Sequence, residues 1–134
     1  MQATILIVQA FHVLPAVFWA GTTFVLARTG GAEAERLVPA QVGSMAVTII
    51  AGAILWRLTH PAFDVTEQVL AAGAAAAILA GLIQLILALP AARALKTAGA
   101  TAIPVFRRKV AMAERLASFL LAVTVICMVA TRYV

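Results

Sequence analysis

Charge is what this chain has least of. Only 11% of its 134 residues are Asp, Glu, Lys or Arg, against about 25% in an ordinary soluble domain. Hydrophobic residues make up 64%. A soluble domain of this size keeps roughly a third of its chain's surface wet after folding, too much to leave apolar. A soluble globular domain is therefore excluded, and so is a disordered chain, which needs low hydrophobicity. Cysteine is nearly absent as well. The single Cys127 has no intrachain disulfide partner, which excludes a disulfide-stapled module. Histidine is limited to His12 and His60. The sequence holds no Ser/His/Asp set, no H-E-x-x-H zinc spacing and no phosphate-binding glycine loop. There is no internal repeat, and low complexity is confined to the alanine run Ala74 to Ala77.

What is present is four long apolar runs. The expected helices cover residues 3–28, 35–60, 64–97 and 104–132. Each can span the hydrocarbon core once, which takes about 20 apolar residues, and none can span it twice. The fold class that follows is all-α, an integral membrane four-helix bundle, with residues 1–134 forming one transmembrane domain. The first run is read as a retained helix rather than a signal peptide. No basic segment precedes it, and it is longer than the h-region of about 7–15 residues.

Local signals mark the breaks. Arg28-Thr29-Gly30-Gly31 ends the first helix with a basic last turn and a glycine stop. Pro39 falls near the start of the second. His60-Pro61 closes it. Asp64-Val65-Thr66-Glu67 has capping-box spacing and starts the third helix. Pro90 falls late in that helix, which runs on to Lys96 with Gly99 as the stop. Pro104 suits the start of the fourth.

The basic residues are unevenly placed. Arg28, Arg36, Arg93, Lys96, Arg107, Arg108, Lys109 and Arg115 flank the first and third loops, leaving Arg57 and Arg132 for the other side. The positive-inside rule puts the first and third loops in the cytoplasm and both termini outside. The expected location is a bacterial inner (plasma) membrane. The net charge of +5 then reports orientation, and nucleic acid is not an expected partner. Lipid is, and so are copies of the chain or other membrane subunits. The small-residue stripes Gly73, Ala77, Gly81 with Gln84, and Ser44, Thr48, Gly52, suit close helix contact.

Polar side chains inside a membrane are costly and are functional candidates by default. Here they are Gln9, His12, Gln41, Gln84, Glu114 and Arg115, with Arg57 and His60 near the outer boundary. His12 lies roughly 13 Å below the outer surface at 1.5 Å per residue. Trp19, seven residues on, shares its face. An imidazole at this depth can ligate haem iron or copper, relay a proton, or simply bond a neighbouring helix. His60 is the second imidazole available to a metal, but by the same rise it stands roughly 13 Å above His12. Cys127 and Met128, in the outer half, complete a soft copper-type set with His12 or else serve as packing. Gln84 reads as interhelical glue. For Glu114 the expectation is an ion pair with a nearby basic residue, Arg28 being one option, with proton relay the alternative.

The segment Phe11-His12-Val13-Leu14-Pro15-Ala16-Val17-Phe18-Trp19-Ala20-Gly21 has tryptophan at plus seven and glycine at plus nine from the histidine. It resembles the first helix of CopD-like copper-resistance membrane domains and of the small HemJ-type protoporphyrinogen oxidases. In the second family an arginine follows the histidine by about sixteen positions, and Arg28 matches it. Phe106-Arg107, Glu114 and Arg132 resemble the last helix. The resemblance implies b-type haem with His12 as a ligand and Trp19 and Arg28 at the cofactor. That family's third helix carries a lysine and histidines; here the span offers Gln84. The functional expectation is a membrane protein binding haem b or copper through His12, with His60 as a second metal ligand, in a redox or metal-handling role. The alternatives are a non-catalytic accessory subunit needing no cofactor and, third, a small transporter.

Overall fold

The uncharged apolar runs become helices in the computed structural model, which describes residues 1–59 and 64–134. These are α1 (Gln2–Arg28), α2 (Ala34–Thr59), α3 (Val65–Leu95) and α4 (Ile103–Ala130). They contain 27, 26, 31 and 28 residues. At 1.5 Å per residue each is roughly 40 Å long, more than the hydrocarbon thickness of about 30 Å. The described residues form an all-helical bundle with four helices long and apolar enough to cross a membrane, which marks a multi-pass membrane protein. His60 and the expected His60-Pro61 close of the second helix lie outside the described residues.

The helix ends follow their local chemistry. After Arg28 the chain turns left-handed at Gly30 and Gly31, with φ of 68° and 82°. The Gly31 N–H donates to Leu26 O at 3.0 Å, the long bond of a Schellman turn. A Cβ at Gly31 would sit 2.5 Å from Arg107 O, so the first loop presses on the start of α4. At α3 the capping box forms: Glu67 N–H donates to the Asp64 carboxylate, and Asp64 N–H to the Glu67 carboxylate. The Glu67 amide holds the Asp64 carboxyl below its ordinary pKa. The C-terminal end of α3 differs from expectation. It stops at Leu95, and Gly99 instead supplies the carbonyl that accepts the Ala102 and Ile103 N–H groups ahead of α4.

One feature of α3 is not foreseen by its sequence pattern. Residues Gln84–Ala88 form a π turn, in which Leu89 N–H donates to Gln84 O five residues back. Pro90 explains it. Proline has no N–H to offer the carbonyl one turn earlier, and its ring crowds that carbonyl. Widening the preceding turn relieves the clash while the helix continues.

Packing is by small residues. One cluster joins Leu26, Ala34, Val38, Ala88, Ala91, Ala92, Val110 and Ala113. A second joins Trp19, Met45, Ala77, Ala80, Ala117 and Leu121. α1 packs along α2 and α4, and α3 packs along α4. α2 meets α3 chiefly at its Leu89–Leu95 end. The two helices therefore splay apart towards the end that carries both chain termini, and a cavity of about 670 Å³ lies in the gap. Ala53 on α2 and Ile78 on α3 both line it and remain exposed, so the cavity opens sideways.

Candidate functional site

His12 stands on the wall of this cavity, about 15 Å along α1 from Gln2 at the helical rise. Its Nδ1 lies 2.8 Å from the backbone carbonyl of Thr48 on α2. A carbonyl oxygen only accepts, so Nδ1 carries a hydrogen, and in the neutral ring Nε2 is the nitrogen with the lone pair. The approach depends on Gly52. A Cβ there would come within 2.9 Å of the imidazole Cε1 and 3.1 Å of Nδ1. Ser44 completes the arrangement by accepting the Thr48 hydroxyl on its carbonyl at 2.8 Å. The small-residue stripe read from α2 is thus the seat of the histidine.

The rest of the cavity is almost wholly apolar. Ile49, Ala53, Leu70, Ala74, Ala77 and Leu121 are among its walls, with Trp19 and Trp56 as aromatic surfaces. Gln9, Arg57 and Met128 also line it. The expected face shared by His12 and Trp19 is present. Other expected partners are not brought to it. Arg28 ends α1, exposed, roughly 24 Å along the helix from His12. Cys127 is turned to α3, where Gly73 leaves room for it: a Cβ on Gly73 would meet Cys127 Cβ at 2.8 Å. Among the described residues no three His, Cys, Asp or Glu side chains form a metal-binding group.

Below Trp19 lies a second polar arrangement. Trp19 Nε1 donates to Gln84 Oε1 at 2.7 Å. The Gln84 amide donates to Thr23 Oγ1 at 2.9 Å and to Glu114 Oε2 at 2.8 Å. The Gln41 amide donates to the same two oxygens, at 2.7 and 3.2 Å. Thr23 spends its own hydrogen on Trp19 O at 2.8 Å. One or two residues from each of the four helices meet here, all of them buried. Gln84 is the interhelical glue expected of it. The ion pair expected for Glu114 is not formed. Arg28 is exposed, and Arg115 is turned to Ala27 O at 3.4 Å. Two glutamine amides offer donors to the carboxyl without bringing a second charge out of water, which is why they displace the basic partner.

Gln41 was marked by its burial cost alone, and Thr23 was missed. A threonine four residues after Trp19 on the same helix face is a weak signal, since threonine hydroxyls commonly bond within their own helix. No family model, curated protein or solved structure matches this chain.

Proposed function

We propose that this multi-pass membrane protein binds b-type haem in the lateral cavity, where His12 Nε2 would hold the iron, in a redox or haem-handling role. The observation that carries the reading is the Nδ1–H bond from His12 to the Thr48 carbonyl. Metal-ligating histidines characteristically donate their other ring N–H in this way, which sets the tautomer and raises ligand basicity. The surroundings support it. The cavity lies within the usual range of about 300–1,000 Å³ for ligand sites and is apolar. Met128 would supply a thioether as second ligand, a His/Met pair known for haem iron. Arg57 at the rim suits the haem carboxylates. The aromatic faces of Trp19 and Trp56 suit a flat ring. Bound haem would supply one-electron chemistry; the chain's residues orient the ring, exclude water and fix the imidazole. Copper is the weaker fit, because Cys127 packs on Gly73 instead of lining the cavity. The likeness of the first helix to CopD-like and HemJ-type proteins supports the same assignment. The basic-residue asymmetry supports a bacterial inner membrane with both termini outside.

The test is an optical spectrum of the purified protein, oxidised and reduced, after expression with haem supplied. A Soret band is expected in the wild type, lost in His12→Ala and altered in Met128→Ala. A folded, colourless wild type that takes up no added haem overturns the reading.

A further inference from the structure

The polar cluster beneath Trp19 has a hydrogen account that does not close. Its donors are the Trp19 indole N–H, the Thr23 hydroxyl and the two hydrogens of each of the Gln41 and Gln84 amides. Every one is used, on Gln84 Oε1, Trp19 O, Thr23 Oγ1 or Glu114 Oε2. Two buried acceptors are left with no partner: Gln41 Oε1 and Glu114 Oε1. Turning the Gln41 amide over does not help. Its N–H groups would lose both acceptors, and its oxygen would face the carboxyl Oε2. What the cluster lacks is one hydrogen.

We propose that Glu114 and Gln41 form a proton-binding site at the junction of the four helices, with the proton on Glu114 Oε1 and Gln41 Oε1 as its acceptor. A single proton from solvent converts one orphan acceptor into a donor and satisfies the other. It also removes the charge from a carboxyl that is fully buried in the membrane-spanning part of α4. The groups facing Glu114 are Thr23 from α1, Gln41 from α2 and Gln84 from α3, none of which titrates. On the same helices Arg28, Arg93 and Arg115 are exposed, and Glu35 is half-buried in the first turn of α2. Glu33 pairs with Arg36 at the surface, away from the cluster.

The site is tied to the cavity by one residue. Trp19 lines the cavity with its ring and donates its N–H to Gln84, whose amide holds the Glu114 carboxyl. Loss of the proton leaves a charge on Glu114 that pulls harder on both amides, and the Gln84 shift is felt at Trp19. The proton site does not depend on what the cavity holds.

Infrared difference spectra of the full chain in lipid nanodiscs test this across a pH series. At neutral pH the wild type is expected to show the carbonyl band of a protonated, buried carboxylic acid. Glu114→Gln removes that band, and Gln41→Leu shifts its frequency by taking away its acceptor. A second readout does not require either variant to fold. Trp56→Phe leaves Trp19 as the sole tryptophan, and its emission is expected to change over the pH range in which the band disappears. An ionised Glu114 at neutral pH, seen as no band difference between wild type and Glu114→Gln, overturns the proposal. A Trp19 emission that stays constant while the band titrates overturns the link to the cavity. A monovalent cation in the proton's place has its own signature: Na+ or K+ at fixed pH then raises the melting temperature of the wild type but not of Glu114→Gln, which also overturns the proposal.

Discussion

His12 and Gly52 are a matched pair. The imidazole reaches the Thr48 carbonyl only because α2 presents no side chain at position 52. Gly52→Ala is expected to push the ring off its acceptor. Overpacking of this kind costs about 1–3 kcal/mol, so a lower melting temperature is expected, and, under the proposed haem assignment, a reduced uptake of added haem. An unchanged melting temperature would show that the ring does not need this seat. Asp64 acts at the same scale. Its carboxyl is held below the ordinary aspartate value of about 3.9 by the Glu67 amide. The folded-state value is the lower one, so the capping contribution is fully present above the unfolded value. It is lost as pH falls through the folded one. Asp64→Ala should therefore raise hydrogen exchange in the first turn of α3 at neutral pH and flatten its acid dependence below about pH 4.

At the scale of the helix, two glycines of one stripe make a contrast. A Cβ on Gly73 meets the Cys127 Cβ at 2.8 Å and Thr124 O at 3.3 Å, neither of which can move without its helix. Thr124 Oγ1 also donates to Gly73 O at 3.0 Å, so the two backbones are already joined there. A Cβ on Gly81 meets only the flexible Met45 thioether, at 2.6 Å from Sδ. Gly73→Ala is expected to lower the melting temperature in detergent, by an amount in the range of about 1–3 kcal/mol for overpacking. Gly81→Ala should cost clearly less. Equal effects would mean that α3 and α4 can slide apart freely. The π turn at Gln84–Ala88 belongs here too. It begins at the very residue that bonds α1 and α4, so the widened turn required by Pro90 also sets where the Gln84 amide lies.

For the molecule as a whole, orientation is the direct test of the charge pattern. Reporter fusions that are active only outside the cytoplasm should work at either terminus and fail in the loop around Gly99. The opposite result would reverse the assignment of both sites to membrane halves. The spans were legible in sequence because bilayer thickness imposes a length on any apolar helix, and all four fall where the runs predict. His12 was legible because a ring nitrogen stands out in a run of Leu, Val and Ala. Its partner was not, since a backbone carbonyl on another helix leaves no mark in composition. The polar cluster was legible only in part. Glu114, Gln41 and Gln84 each stood out as costly, yet their meeting depends on how four helices pack, and a lone acid read along the chain suggests a base as its partner. Nor could the splay of α2 from α3 be read, because the same apolar residues serve equally in a closed or an open bundle.

The sideways opening beside Ala53 and Ile78 offers a route to His12 from within the bilayer. A molecule arriving there comes out of the oil phase, not out of water. Its supply is then governed by how well it dissolves in hydrocarbon and how fast it diffuses in the plane of the bilayer. Binding strength measured in detergent solution will understate it, because the lipid concentrates such a molecule before the protein ever meets it. Selection begins with solubility: ions and sugars are turned away by the bilayer, and the walls of the cavity need only distinguish among lipophiles.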